Sequence, residues 1–166
     1  MHFATQVARL LHDEHLKTIA LTNRLEELAA GRRARKTPAA DDTDLRGILD
    51  DLIVSLEQET EHHFAFEEEN IFPRLEALGD GMISQILRHE HQLIRELAGD
   101  LLPLARQSRR DGFDDEAWRR FRQLVLELVE RQIAHIQKEE MGLLPALDGL
   151  LEETQDGELA MLYVQG

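Results

Sequence analysis

An eleven-residue pattern occurs twice in this chain, with its two copies 72 residues apart. The first copy is His63-Phe-Ala-Phe-Glu67-Glu68-Glu-Asn-Ile71-Phe72-Pro73, and the second is His135-Ile-Gln-Lys-Glu139-Glu140-Met-Gly-Leu143-Leu144-Pro145. Both read His-x-x-x-Glu-Glu-x-x-apolar-apolar-Pro. Residues four apart in a helix share a face, one turn above the other. Each copy therefore presents an imidazole and a carboxylate that point the same way. Two such helices facing each other assemble the donors of a metal site, with enough carboxylate to serve two ions.

The rest of the chain supplies helices for those motifs to face. Leu, Ala, Glu and Arg dominate, aromatics are scarce and no two-residue alternation persists. A first helix is predicted over about residues 3–30, with Val7, Leu11, His15, Thr22, Leu25 and Ala29 on one stripe and Gly31 as its stop. The second starts beside the capping candidates Asp41, Asp42 and Thr43 and carries Leu52, Leu56, Glu59, His63 and Glu67. The third starts near Gly81, carries Leu87, His91, Ile94 and Leu101, and is expected to fray at Pro103 and end near Arg106. The fourth is capped by Asp114 or Asp115 and carries Phe121, Leu128, His135 and Glu139 to about Leu150. Pro73 and Pro145 fall late in helices two and four and are expected to re-aim the last turn.

Short connections between long helices favour antiparallel neighbours. The predicted fold is all-α, an antiparallel up-down-up-down four-helix bundle over residues 1–151, followed by a C-terminal tail over 152–166. The tail reads either as a short helix or as a partner-binding segment. Glu14-His15 on helix one resembles Glu90-His91 on helix three, 76 residues later, so the bundle reads as two copies of one hairpin.

Collected from the inward stripes, the polar residues are His15, His63, Glu67, His91, His135 and Glu139. A buried unpaired carboxylate is costly or takes up a proton. Two carboxylates among four imidazoles make sense when cations lie between them. Each carboxylate can bridge two ions and two histidines can complete each ion. Imidazole with carboxylate and no thiolate suits iron, manganese, zinc or copper. Iron comes first, ahead of manganese and zinc, because open positions on redox-capable ions suit oxygen, peroxide or nitric oxide chemistry.

Three further residues are candidates for a ligand pocket or for support of the metal ligands. His12 lies one turn before His15, Glu59 one turn before His63, and Phe66 belongs to the apolar surroundings of the first motif. Each has a plainer reading: a surface histidine, a bundle-end charge able to pair with Arg131, and a core aromatic. Glu68 and Glu140 turn about 100° away from their neighbours and are expected at the rim or supporting the ligands.

The balance of 33 acidic and 19 basic residues, a net charge of −14, disfavours nucleic acid as a partner. The absence of cysteine excludes disulfides, thiolate metal sites and thiol catalysis. No segment is apolar enough to span a membrane, and the first residues mix charge into their apolar positions, unlike a secretory leader. A cytoplasmic protein without a membrane partner is the expectation; a protein partner cannot be read from the residues.

Together these residues resemble the hemerythrin-like, or HHE cation-binding, domain. The resemblance covers about residues 5 to 150 and is carried by Glu14-His15, His63 to Pro73, Glu90-His91 and His135 to Pro145. It implies a four-helix bundle holding a non-haem di-iron centre with bridging carboxylates, its ligands being His15, His63, Glu67, His91, His135 and Glu139. Oxygen-carrying hemerythrins have a second helix-three histidine where this chain has Arg95, and an aspartate where it has Glu140. The chain is thus more similar to the bacterial hemerythrin-like and iron-cluster-repair di-iron proteins. The implied roles are binding or sensing of a small diatomic ligand or peroxide (O2, NO or H2O2) in a stress response, a di-iron enzyme of peroxide or nitric oxide turnover or cluster repair, and iron handling.

Overall fold

Five helical rods follow one another in the computed structural model, which describes residues 2–166 apart from the side chain of Glu59. They are α1 (Gln6–Ala30), α2 (43–77), α3 (Gly81–Asp111), α4 (115–150) and α5 (Glu153–Gln165). Local chemistry sets where they begin. Side chains of Thr5, Asp42 and Asp114 accept from Ala8, Leu45 and Ala117 N–H ahead of α1, α2 and α4. Glu152 and Gln155 form a reciprocal capping box ahead of α5. The described residues contain no strand, and no helix among them is long and apolar enough to cross a membrane.

The proline-bearing rods are not α-helical throughout. π turns interrupt α2 at Ser55–Glu59 and Glu67–Ile71, and α4 at Glu139–Leu143. The last two fall at the same point of the two motif copies. There Phe72 N–H donates to Glu67 O and Leu144 N–H to Glu139 O, five residues back, and Pro73 and Pro145 follow at once. Proline has no N–H and crowds the carbonyl four residues behind it; a one-residue insertion relieves both problems. The expected bend is therefore a matched pair of π turns. Pro103 behaves differently: α3 runs through it to Asp111 and ends at Gly112, whose φ of 80° favours glycine. The helix thus runs past the expected end near Arg106, because a packed helix tolerates the one hydrogen bond that Pro103 removes.

Cross-links between rods run in opposing order. Arg24 of α1 pairs with Asp51 of α2, while His15 meets His63. Along α3, Arg88, Arg95 and Arg109 pair with Glu76, Glu61 and Asp50 of α2. On α4, Glu140 meets His15 and Arg122 donates to Ala29 O of α1. These neighbours are antiparallel, in an all-α bundle.

Two apolar clusters divide the interior. One gathers Leu25, Leu49, Leu101, Phe121 and Val125 toward the Trp118 end, and the other gathers Val7, Leu11, Phe72, Leu87 and Leu143 at the opposite end. The buried histidines and glutamates of the two motifs lie in the layer between them.

Residues beyond 151, expected as a tail, form α5 and complete the second cluster with Leu159, Ala160 and Tyr163. Buried Asp156 accepts from Gln6 N–H at 2.8 Å and Val7 N–H at 2.9 Å, so it caps α1 from the far end of the chain. Replacing Asp156 by Ala removes two charge-assisted bonds to helix-terminal amides. The expected loss is about 1–3 kcal/mol, read as a lower urea midpoint with an unchanged slope.

Candidate metal centre

Four of the five rods send side chains into the layer between the clusters: His15 from α1, His63 and Glu67 from α2, His91 from α3, and His135 and Glu139 from α4. All six are buried. They form two sets, His15–His63–Glu67–Glu139 and Glu67–His91–His135–Glu139, and the donor atoms within each set lie within 4.8 Å of one another. The sets share both carboxylates. His63 Nε2 lies 2.7 Å from Glu67 Oε1, His15 Nε2 lies 2.8 Å from Glu139 Oε2, and His91 Nε2 lies 3.3 Å from Glu67 Oε2. His135 Nε2 abuts Glu139 Oε1.

Hydrogen bonding does not account for this cluster. Both Glu67 oxygens, Glu139 Oε1 and the Nε2 atoms of His91 and His135 are fully enclosed without a hydrogen-bond partner among the described residues. Orphaned groups of this kind each cost on the order of 1–3 kcal/mol, and more for charged ones. Cations between them satisfy all five atoms at once. Nitrogen and oxygen donors without sulfur fit the metals that accept imidazole and carboxylate together.

An outer ring orients the inner one. Glu140 accepts from His15 Nδ1 at 2.6 Å, Glu68 from His91 Nδ1 at 2.8 Å and Glu90 from His135 Nδ1 at 2.9 Å. A carboxylate on Nδ1–H fixes the tautomer that turns the Nε2 lone pair inward. The ring is tied down in turn. Arg95 donates to Glu68 at 2.6 Å and bridges to Glu61, Lys138 donates to Glu90 at 2.6 Å, and His12 Nδ1 lies 2.9 Å from Glu140.

The Hemerythrin HHE cation binding domain matches this chain over residues 6–147. The chain belongs to that family. No curated protein matched it. Family membership and the buried donor cluster together make this a cation-binding protein with a metal site inside its helical bundle.

Sequence reasoning about this hemerythrin-family chain located the inner six but only part of their surroundings. His12 holds Glu140 and so reaches His15 through a carboxylate. Phe66 packs edge-on to Tyr163 at 4.9 Å, and Tyr163 in turn lies edge-on to His63 at 6.4 Å. Phe64 stacks its ring directly on His91 at 3.8 Å. The side chain of Glu59 lies outside the described residues, and with it the suggested pair to Arg131, which binds Glu127 at 3.2 Å. Glu90 is the chain neighbour of His91 but serves His135, on the adjacent rod. Arg95, in the position of the oxygen carriers' second histidine, supports Glu68 instead.

Protonation sharpens the case for a cation. Burial alone would favour neutral His63, but the charge of Glu67 and the hydrogen bond to Glu139 outweigh it and push its pKa from 6.5 up to about 10. For His135 burial is likewise outweighed, by Glu139 and then Glu90, again to about 10. Glu139 is held well below the carboxylate range; burial opposes the shift, and His135, His15 and His63 produce it. Without a cation, the inner layer holds itself together with imidazolium. Groups with raised folded pKa values give stability that is complete below 6.5 and lost as pH rises through about 10. A cation needs neutral imidazole, so its binding displaces these protons and strengthens as pH rises. Melting curves from about pH 6.5 to about pH 9 are expected to fall with pH in chelator, while the difference between metal-loaded and chelated protein grows.

Proposed function

We propose that this protein is a non-haem di-iron protein whose centre takes a small diatomic ligand or peroxide (O2, NO or H2O2) for binding, sensing or a stress response. The observation that carries the reading is the pair of buried donor sets sharing Glu67 and Glu139. In this assignment the two carboxylates bridge, His15 and His63 complete one ion, and His91 and His135 complete the other. Four imidazoles and two carboxylates leave coordination positions open on six-coordinate ions. When bound, the iron pair supplies redox chemistry at those positions.

The chain's own residues hold and shield the centre. Glu68, Glu90 and Glu140 fix three imidazoles by their Nδ1 atoms. Phe64 and Phe72 cover His91, with ring centroids 3.8 Å and 5.5 Å away, and exclude water from that side. A dry cover limits solvent access and suits a small ligand over a large organic substrate. Iron is preferred to zinc because a redox-active pair makes use of such a shielded, open site, and to manganese because the family resemblance implies a di-iron centre.

Metal analysis with an absorption spectrum of freshly purified protein tests this. About two irons per chain, with oxo-bridge charge-transfer bands, is the expected result; one zinc per chain overturns it. Glu67→Ala and His135→Ala are each expected to lose those bands and the stabilisation that chelator removes from the parent protein. Sustained turnover of peroxide or nitric oxide by the loaded protein would assign it as an enzyme, and weakly held, exchangeable iron as an iron-handling protein.

A further inference from the structure

The two halves of the repeat differ at one corner. Under the correspondence that relates His15 to His91 and His63 to His135, Glu90 on His135 predicts Glu14 on His63. That bond is absent among the described contacts: Glu14 pairs instead with Lys17 at 3.0 Å. The counterpart of Phe64, whose ring lies flat on His91, is Ile136; the counterpart of buried Ile94 is Thr18. Each exchange removes bulk from the α1 side of the centre. The result is a cavity beside His15, His63 and His135, with room for about one water-sized molecule.

Its polar lining is unusual for so enclosed a place. Gln132 is 4% exposed and Thr60 9% exposed, and both line this cavity. Among the described residues, neither the Gln132 amide nor the Thr60 hydroxyl has a side-chain hydrogen-bond partner. Each sits one turn before a motif histidine, and the two are corresponding residues of the repeat, 72 positions apart. Thr18 adds a hydroxyl, and Glu14 a carboxylate at the more exposed rim. Neither group belongs to the fully enclosed unpartnered atoms of the metal layer, so the Gln132 amide and the Thr60 hydroxyl present their polar atoms to accessible space, where a small ligand can meet them.

We propose that Gln132 and Thr60 form a hydrogen-bonding pocket that selects hydrogen peroxide among small ligands of the centre. This rests on the di-iron reading above and narrows its ligand class. Hydrogen peroxide carries two O–H donors and several lone pairs, which match an amide, two hydroxyls and a carboxylate. Nitric oxide and dioxygen have no donor and accept weakly, so the pocket gives them little. Gln132 and Thr60 are positioning residues for the ligand; both are three residues from the nearest proposed metal ligand.

Iron-loaded full-length protein tests the proposal, with azide as a stable hydrogen-bond acceptor, hydrogen peroxide and nitric oxide as probes. In Gln132→Leu and Thr60→Val, azide affinity and the rate of reaction with peroxide are expected to fall about tenfold, the loss of one hydrogen bond. Nitric oxide affinity is expected to stay within about twofold, and Thr60→Ser to behave as the parent. Independently of iron, Gln132→Leu is expected to leave the melting temperature of chelated protein at or above the parent's, because the amide makes no side-chain hydrogen bond whose loss would destabilise the fold. Equal losses for all three probes, no loss for any, or a lower melting temperature for Gln132→Leu would overturn the pocket. A parent protein that binds none of the three probes would overturn the di-iron reading itself.

Discussion

Two carboxylates with no exposure to solvent, Glu67 and Glu139, dictate much of this structure. Charge so deeply placed has to be answered from every side, and the bundle does so with residues from α1, α2, α3 and α4. Four imidazoles face the pair, three carboxylates stand behind the imidazoles, and Arg95, Lys138 and His12 stand behind those carboxylates. Carboxylates and nitrogen bases alternate outward from the middle. Such a network is high-stakes, because each member left without its partner carries a desolvation penalty that packing elsewhere must offset. The two apolar clusters on either side keep water out and so make every contact in the layer stronger.

Proline chemistry shapes the same layer. Glu67 and Glu139 are each the first residue of a π turn, and each turn precedes a proline. The inserted residue changes the rotation of the rod just past the carboxylate. Glu68 and Glu140 then reach across to His91 and His15 while Ile71 and Leu143 stay buried. The repeat thus conveys more than ligand identity: it carries the backbone irregularity that lets adjacent glutamates serve an inner and an outer position.

The inner six were legible because helical periodicity decides which residues share a face, and spacing of three and four is visible in a sequence. The partners of the outer ring were less so. That Glu68 and Glu140 turn away from the centre follows from one step of helical rotation, but their targets depend on how far neighbouring rods are rotated, which no single-helix pattern contains. Glu90 shows this best, since its local neighbour is His91 and its partner is His135. Phe64 and Phe66 were indistinguishable as apolar neighbours of His63; only the placement of α5 decides that Phe66 meets Tyr163. The Ser55–Glu59 π turn has no proline behind it and left no signal. α5 was half-visible, as an apolar run, while its capping of α1 by Asp156 joins residues about 150 positions apart.

That last link bears on how the molecule is made. The apolar pole under the metal layer draws Phe3 from just before α1, Val7 and Leu11 from α1, and Leu159, Ala160 and Tyr163 from α5. Chains are synthesised from the N-terminus, and contacts distant in sequence form late. While the ribosome is still adding residues short of 159, one pole of the nascent bundle stays uncovered and the first amides of α1 lack their cap. The nascent bundle is thus most exposed to aggregation and proteolysis in the interval before α5 emerges, and α5 acts as the clasp that closes it.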